Sequence, residues 1–354
     1  MATPRSEWQF GRIYPPDEAW LAAAEPEPIL DPDLPIVDPH HHLWLRNGHR
    51  YLLDDLLADL GTGHNIVATV FEECHSMYRA ADNPFGGPEE LRSVGETEFV
   101  AGIGAMSDSG AYGKTRVASG IVGAADLTLG DRVEPVLLAH IRAGGGRFRG
   151  VRHAAGYDAD PVIGNSGAGM APHLYRRDDF RAGLKRLSAL GLSFDAWLYH
   201  PQLGDVIELA RAFPATPIVM GHVGGFLGYG PYGGKRDQEF PKWQQSMTEL
   251  ARCPNVVVKL GGMINRGAAY DFHAVAAPPS SATIAEYWRP FIETCIELFG
   301  PRRCMFESNF PVDKMGIGYA TLWNAFKRIA SGASLEEKRA LFAGTATRVY
   351  RLEY

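Results

Sequence analysis

The sequence predicts an α/β fold, a single (β/α)8 barrel of the TIM type with an N-terminal arm and long βα loops. Three observations carry that expectation. From residue 35 onward, eight short apolar runs alternate with longer amphipathic stretches. Most of the runs are apolar on both parities, as strands covered on both faces should be. The first run ends in three histidines, where a doubly wound open sheet would need a Gly-rich phosphate turn.

The 354 residues would suit about two average domains, but a (β/α)8 barrel uses this length as one. Residues 1–34, rich in Pro, Glu and Asp, form the arm, and residues 35–354 form the barrel. Strands are expected at 36–41, 65–72, 118–126, 148–153, 193–200, 216–222, 256–260 and 303–308. Helices fall between them. Residues 178–190 carry Phe180, Leu184, Leu187 and Leu190 at helical spacing and stop at Gly191. Residues 203–213 are stopped by Pro214. Thr283 with Glu286, and Ser334 with Glu337, have capping-box spacing ahead of two further helices. The chain lacks the 20–50-residue self-similarity of a solenoid or propeller.

Hydrophobic residues make up 45% and charged residues 21%, which permits a sizeable core and excludes wholesale disorder. Lys plus Arg is 35 and Asp plus Glu is 41, a net charge of −6, so no basic surplus points to a nucleic-acid partner. No apolar stretch reaches the ~18 residues of a membrane span, and the N-terminus has no continuous apolar signal region. Cys74, Cys253, Cys295 and Cys304 are dispersed without CxxC and are expected to be reduced thiols. A cytoplasmic protein acting on a small molecule is the expectation, with self-association into a homo-oligomer left open.

Chemistry in such barrels sits at the C-terminal ends of the strands. The first strand reads Ile36-Val37-Asp38-Pro39-His40-His41-His42. His40 and His42, two apart, share a strand face. Two imidazoles so placed can grip one divalent ion, zinc first; a hydrogen-bonded core pair is the plainer reading. The second strand ends Glu72-Glu73-Cys74-His75; one carboxylate points inward, and period 2 does not say which. On the fourth, Arg152 lies at the rim, suited to clamp a carboxylate or a polarised carbonyl, with a surface salt bridge as the alternative. The fifth ends Tyr199-His200-Pro201-Gln202, and the sixth Gly221-His222-Val223-Gly224-Gly225, where small residues leave space above His222. On the eighth, Glu307 and Asn309 share a face, with Glu307 one layer deeper. Two decoys fall away. The segment 228–233 matches GxGxxG in letters but contains Pro231 and opens no helix. Ser166 lacks the GxSxG context of a nucleophile elbow.

Five segments in this order resemble the amidohydrolase superfamily. They are Asp38-Pro39-His40-His41-His42-Leu43-Trp44, Arg149-Gly150-Val151-Arg152, Phe194-Asp195 with Pro201-Gln202-Leu203, Gly221-His222-Val223-Gly224-Gly225, and Met305-Phe306-Glu307-Ser308-Asn309-Phe310-Pro311. The resemblance is to its amidohydrolase-related branch of TIM-barrel hydrolases, which holds sugar lactonases and the pyrone-dicarboxylate lactonase, and it runs from about Pro35 to the C-terminus. It implies that His40 and His42 are metal ligands or, in metal-independent members, substrate contacts. It also brings His222 and Arg152 into the site. The eighth-strand Asp that usually serves as general base falls on Asn309, which cannot take a proton at neutral pH. The bridging lysine of binuclear members has no match on the fourth strand, so one metal at most is implied.

The expected activity is opening of a lactone or related cyclic ester by metal- or Arg-assisted attack of water. His222, His200 and Asn309 are the catalytic candidates. His40, His42 and Glu307 are the candidate ligands of one divalent ion, zinc first, and Arg152, Tyr199 and Glu73 the candidate substrate contacts. The substrate is expected to be a small molecule that can bear a carboxylate. The alternatives are a metal-independent hydrolase, a non-oxidative decarboxylase of an aromatic or enol acid, and a degenerate barrel that binds a small acid without turnover.

Overall fold

The computed structural model describes residues 3–46, 48–82, 86–166, 171–266 and 270–354. Part of the long βα loop 155–177 therefore lies outside the described residues. Among the described residues ten strands are present: β1 (Ile36–His41), β2 (Trp44–Arg46), β3 (His49–Tyr51), β4 (Ile66–Glu72), β5 (Arg116–Ala124), β6 (Phe148–Arg152), β7 (Ser193–Ala196), β8 (Ile218–Met220), β9 (Val256–Leu260) and β10 (Cys304–Phe306). β2 and β3 form a small antiparallel hairpin that the sequence did not announce. The other eight make one parallel sheet in the order β1-β4-β5-β6-β7-β8-β9-β10. Backbone bonds beyond the formal end of β10 bring it back to β1: Asn309 N–H donates to the His40 carbonyl at 2.9 Å, and His42 N–H to the Phe310 carbonyl at 2.7 Å. The eight-stranded barrel of the TIM type is thus the fold.

Alternation inside the barrel follows from strand pleating. Val37, Val70, Val122, Val219, Val257 and Met305 meet in one apolar layer, which Ala343, Ala346, Val349 and Tyr350 of the C-terminal segment plug from below. The opposite residues, such as Ile36, Phe71, Phe194, Val258 and Phe306, face the surrounding helices. The polar site therefore sits on a dry floor. Strands five and six are shorter than the sequence suggested, because the chain turns out of the sheet at Ala196 and Met220, and the formal eighth strand is shorter although its pairing with β1 continues past it. The helix Ser281–Phe299 is capped by the Ser280 side chain, which accepts from Thr283 N–H, so the helix starts before Thr283 and this single cap stands in place of the box expected there. The box of Ser334 with Glu337 does form. Among the described residues no helix is long and apolar enough to cross a membrane.

Two histidines show how the core holds neutral rings. His140 stacks on Phe148 and pairs with the Thr97 and Ser93 hydroxyls. His200 stacks on Phe226 and accepts from Leu227 N–H. Burial pushes each down to about 4, whereas an unfolded histidine titrates near ~6.5. The unfolded chain therefore binds more protons below that pH. The stability these rings contribute is complete above pH ~6.5 and is lost as pH falls toward 4, by about 1.4 kcal/mol per pH unit for each ring. NMR titration of the two imidazoles should give midpoints near 4, and His140→Gln should flatten the acid limb of the stability curve.

Candidate active site

The site forms where the inner faces of the strands rise above the apolar layer. Strict alternation from Val37 would turn His40 outward. A register shift between Asp38 and His41 prevents this. Such bulges re-aim side chains, and Pro39, with no N–H to donate, suits one. Asp38 consequently faces outward, accepting from Tyr319 Oη at 3.0 Å and Ser308 N–H at 3.0 Å. His40 and His42 both face the site, with their Nε2 atoms 3.2 Å apart. His41 turns away to Thr69 Oγ1 at 2.9 Å.

Glu307 lies directly above Met305 and joins two of these rings. Its Oε1 is 2.7 Å from His222 Nδ1, and its Oε2 is 2.7 Å from His40 Nδ1. His222 follows β8 in a sharp turn with φ of 51°. The space it fills exists because Gly261-Gly262 follow β9. A Cβ on Gly262 would stand 1.9 Å from His222 Nδ1, and one on Gly261 would stand 2.6 Å from Glu307 Cγ.

Below this trio lies a buried ionic network. Lys259 of β9 donates to Glu72 Oε2 at 2.7 Å and to Asp195 Oδ2 at 3.0 Å, and its Nζ is 3.4 Å from His40 Nδ1. Tyr350 Oη also donates to Asp195 Oδ2, at 2.5 Å. Burial opposes the charge on Lys259, but Glu72 and Asp195 outweigh it and raise the ammonium's pKa. Both members of the Glu72-Glu73 pair are used. Glu72 goes to Lys259, and Glu73 Oε1 accepts from Arg152 Nε at 2.7 Å. Burial works against the Glu73 carboxylate, but Arg152 and His75 hold it below its ordinary value.

Above the trio opens a cavity of about 180 Å3, lined by His42, Glu73, Arg152, His222 and Asn309, with Trp44 and Trp197 as apolar walls. Ile13 of the N-terminal arm reaches its rim, on a segment tied down where Gly11 N–H donates to the Asn265 carbonyl at 2.7 Å. Asn309 donates from Nδ2 to Asp313 Oδ1 at 3.0 Å, which leaves its carbonyl oxygen as an acceptor. Burial pushes the Asp313 carboxyl well above the usual range.

The residues fit a divalent cation. A ligand atom from each of His40, His222 and Glu307 lies within 4.8 Å of the others, and two imidazoles with one carboxylate are a known catalytic zinc set. Glu307 Oε2 is buried without a hydrogen bond of proper geometry. His42 Nδ1 faces the Glu72 carbonyl at 2.8 Å and must donate to it, so its Nε2 lone pair faces His40 Nε2. Burial first, then Lys259 for His40 and Arg152 for His42, holds both rings well below the ordinary histidine pKa, which favours the neutral imidazole that a metal ligand must be. Fully ionised, Glu72, Glu73, Asp195 and Glu307 face only Lys259 and Arg152. The balance is the charge that one divalent ion neutralises. Burial and Asp195 push Glu72 up to about 8, as an excess of negative charge would.

Of the residues singled out from sequence, His40, His42, Glu307, His222, Arg152, Glu73 and Asn309 converge here. The cation-ready trio takes His222 where the sequence expectation had His42, which stands beside it. His200 and Tyr199 do not line the cavity. β7 stops at Ala196, and a 3-10 turn at His200–Gln202 swings His200 onto Phe226 and toward Glu239 Oε2 at 3.5 Å. Tyr199 packs instead on Trp197 and under Arg266. Glu72, Asp195, Lys259 and Asp313 were not singled out as site residues. Lys259 carried a readable signal, a lone cation in a strand otherwise apolar on both faces.

The family model described as amidohydrolase matches residues 37–352. An uncharacterised protein, y4mH, of Sinorhizobium fredii is 31% identical over 342 residues, covering 90% of this chain and 99% of that protein. An L-fucono-1,5-lactonase of Burkholderia multivorans is 27% identical over 323 residues, covering 89% and 96%. A crystal structure of an amidohydrolase from Burkholderia multivorans with bound zinc superposes with a TM-score of 0.68 at 23% identity, covering 90% of this chain and 99% of that one. At that identity it shows the shared fold.

Proposed function

The chain belongs to the amidohydrolase family, and on that premise we propose that this cavity opens a lactone or related cyclic ester. The observation that carries the proposal is the His222–Glu307 pair, 2.7 Å apart, at the floor of a cavity walled by Arg152. The similarity to an L-fucono-1,5-lactonase supports the same reaction class, and the zinc in the superposed barrel supports a metal.

His40, His222 and Glu307, with His42 beside them, would hold one divalent ion, which when bound would polarise the ester carbonyl and lower the pKa of a water. The chain's own groups supply the rest. In the ion-free arrangement His222 donates from Nδ1 to Glu307 Oε1, which fixes the tautomer and leaves Nε2 as the basic nitrogen. While His222 is off the ion, that nitrogen takes a proton from the attacking water and returns it to the departing ring oxygen; as a ligand the same ring would be no base. Arg152 is held by Glu73, so its guanidinium is already oriented when the carbonyl oxygen gains charge. Asn309 accepts a hydrogen bond from water through its carbonyl oxygen, oriented by Asp313.

Asn309→Asp should therefore alter the pH profile. It would set a second carboxyl about 3.0 Å from that of Asp313, and like charges so close raise one pKa. Any rate gained from the new carboxylate appears as pH rises and that group ionises. A kcat profile identical to wild type across pH 5–9 would place residue 309 outside the water's path. The reaction itself is tested by assaying lactones for acid release beside aromatic acids for CO2 release. Acid release alone supports the hydrolase, and CO2 release alone would replace it with a decarboxylase.

A further inference from the structure

His222 is drawn into two roles that exclude each other, because an imidazole that holds a cation is no base. Among the described residues three histidines line the cavity: His42, His75 and His222. His222 belongs to the cation-ready cluster, and His42 stands against His40 within it. His75, in the loop that follows β4, is no member of that cluster.

The setting of His75 is built from both ends. Its Nε2 lies 3.4 Å from Glu73 Oε2, while Arg152 holds the other oxygen, Oε1, at 2.7 Å. A carboxylate behind an imidazole fixes its tautomer and stabilises the imidazolium. With Nε2 turned to Glu73, that nitrogen carries the proton and Nδ1 the lone pair. The backbone of His75 is left-handed, with φ of 59°, a region that favours glycine. Buried Glu96 fixes it there by accepting both flanking amides on one oxygen, Oε1: Cys74 N–H at 3.2 Å and Ser76 N–H at 2.7 Å. Arg46 donates to the Cys74 carbonyl at 3.0 Å. Sparse backbone conformations persist only where their surroundings hold them, and they cluster at functional sites. The effect of this clamp is to keep Cys74 and Ser76 buried and to set the His75 ring, 63% exposed, on the rim of the cavity.

We propose that His75 carries the proton when His222 is committed to a cation. Its Nδ1 takes a proton from the water as the water oxygen bonds to the ester carbon. It returns that proton to the ring oxygen as the ring C–O bond breaks, with Glu73 stabilising the imidazolium between the two events. This rests on reading the cavity as the site of lactone opening.

The test is a pH-stat assay of δ-valerolactone and D-gluconolactone with zinc supplied, using the full chain as wild type, His75→Asn and His75→Gly. Asparagine and glycine both accept a left-handed backbone, so both variants should unfold near the wild-type temperature. Each should lose at least ~100-fold in kcat, the weight of an acid–base group, with KM changed less than about threefold. Zinc bound per chain, by elemental analysis, should match wild type. Imidazole in solution should raise the rate of His75→Gly at least about tenfold, and pyrazole, of the same size but far less basic, should not. Wild-type kcat in His75→Asn overturns the proposal and keeps the lactonase. Loss of zinc together with activity also overturns it, by making the ring a ligand. Absence of rescue by imidazole, or equal rescue by pyrazole, overturns it by leaving the ring a structural role alone. A wild type that opens neither lactone removes the carrier and the lactonase together.

Discussion

His222→Ala and Glu307→Gln should each lower kcat by at least ~100-fold in a protein that still folds, the range for losing an acid–base group. His222 lines the cavity, and its Nδ1 lies 2.7 Å from Glu307 Oε1. Removing the imidazole takes away both the proton carrier and a nitrogen suited to a cation. Glu307→Gln keeps the volume but replaces a carboxylate, which accepts at both oxygens, with an amide whose NH2 would face one histidine nitrogen. Stability should change far less than activity, because the apolar layer beneath, from Val37 to Met305, is untouched. Steady-state kinetics beside thermal unfolding separates the two effects. Wild-type turnover in Glu307→Gln would take Glu307 out of the mechanism.

Lys259→Met should destabilise the protein by about 3–5 kcal/mol, the penalty for breaking a buried ion pair from one side. The side chain is buried, and its ammonium stands between Glu72 and Asp195 at 2.7 and 3.0 Å. Without it those carboxyls face each other in a dry barrel. Burial and Asp195 already push Glu72 up to about 8, and loss of the ammonium drives it higher. A folded-state pKa raised above the unfolded one contributes stability that is lost as pH rises. The deficit in Lys259→Met should therefore be smaller at pH 5 than at pH 8, as urea titration at the two values would show. A deficit under 1 kcal/mol at both would mean that the network is open to water.

These expectations differ in how far the sequence could have led to them. The barrel was legible because buried parallel strands are apolar on both parities and evenly spaced. Glu307 and Asn309 were legible as one face because pairing with β1 continues past β10 as far as Phe310, which carries both side chains to the cavity. His40 and His42 were found for an incomplete reason. Their shared orientation depends on the bulge at Pro39, without which alternation from Val37 would turn them outward. His200 misleads because residues 193–200 are strand-like throughout. The sheet ends at Ala196 and a 3-10 turn carries the ring away. Lys259 stayed hidden because its partners lie 187 and 64 residues distant in sequence, and only closure of the barrel brings them together. Asp313 lies beyond Pro311, past the end of any strand that periodicity can follow.

The most direct measurement is pH-stat titration of a lactone panel at neutral pH, with and without a carboxylate on the ring, using wild type and His222→Ala side by side. The account predicts one equivalent of acid per ring opened by wild type and a rate at least ~100-fold lower in His222→Ala. Failure of wild type to open any lactone, or equal rates in the two proteins, would contradict it.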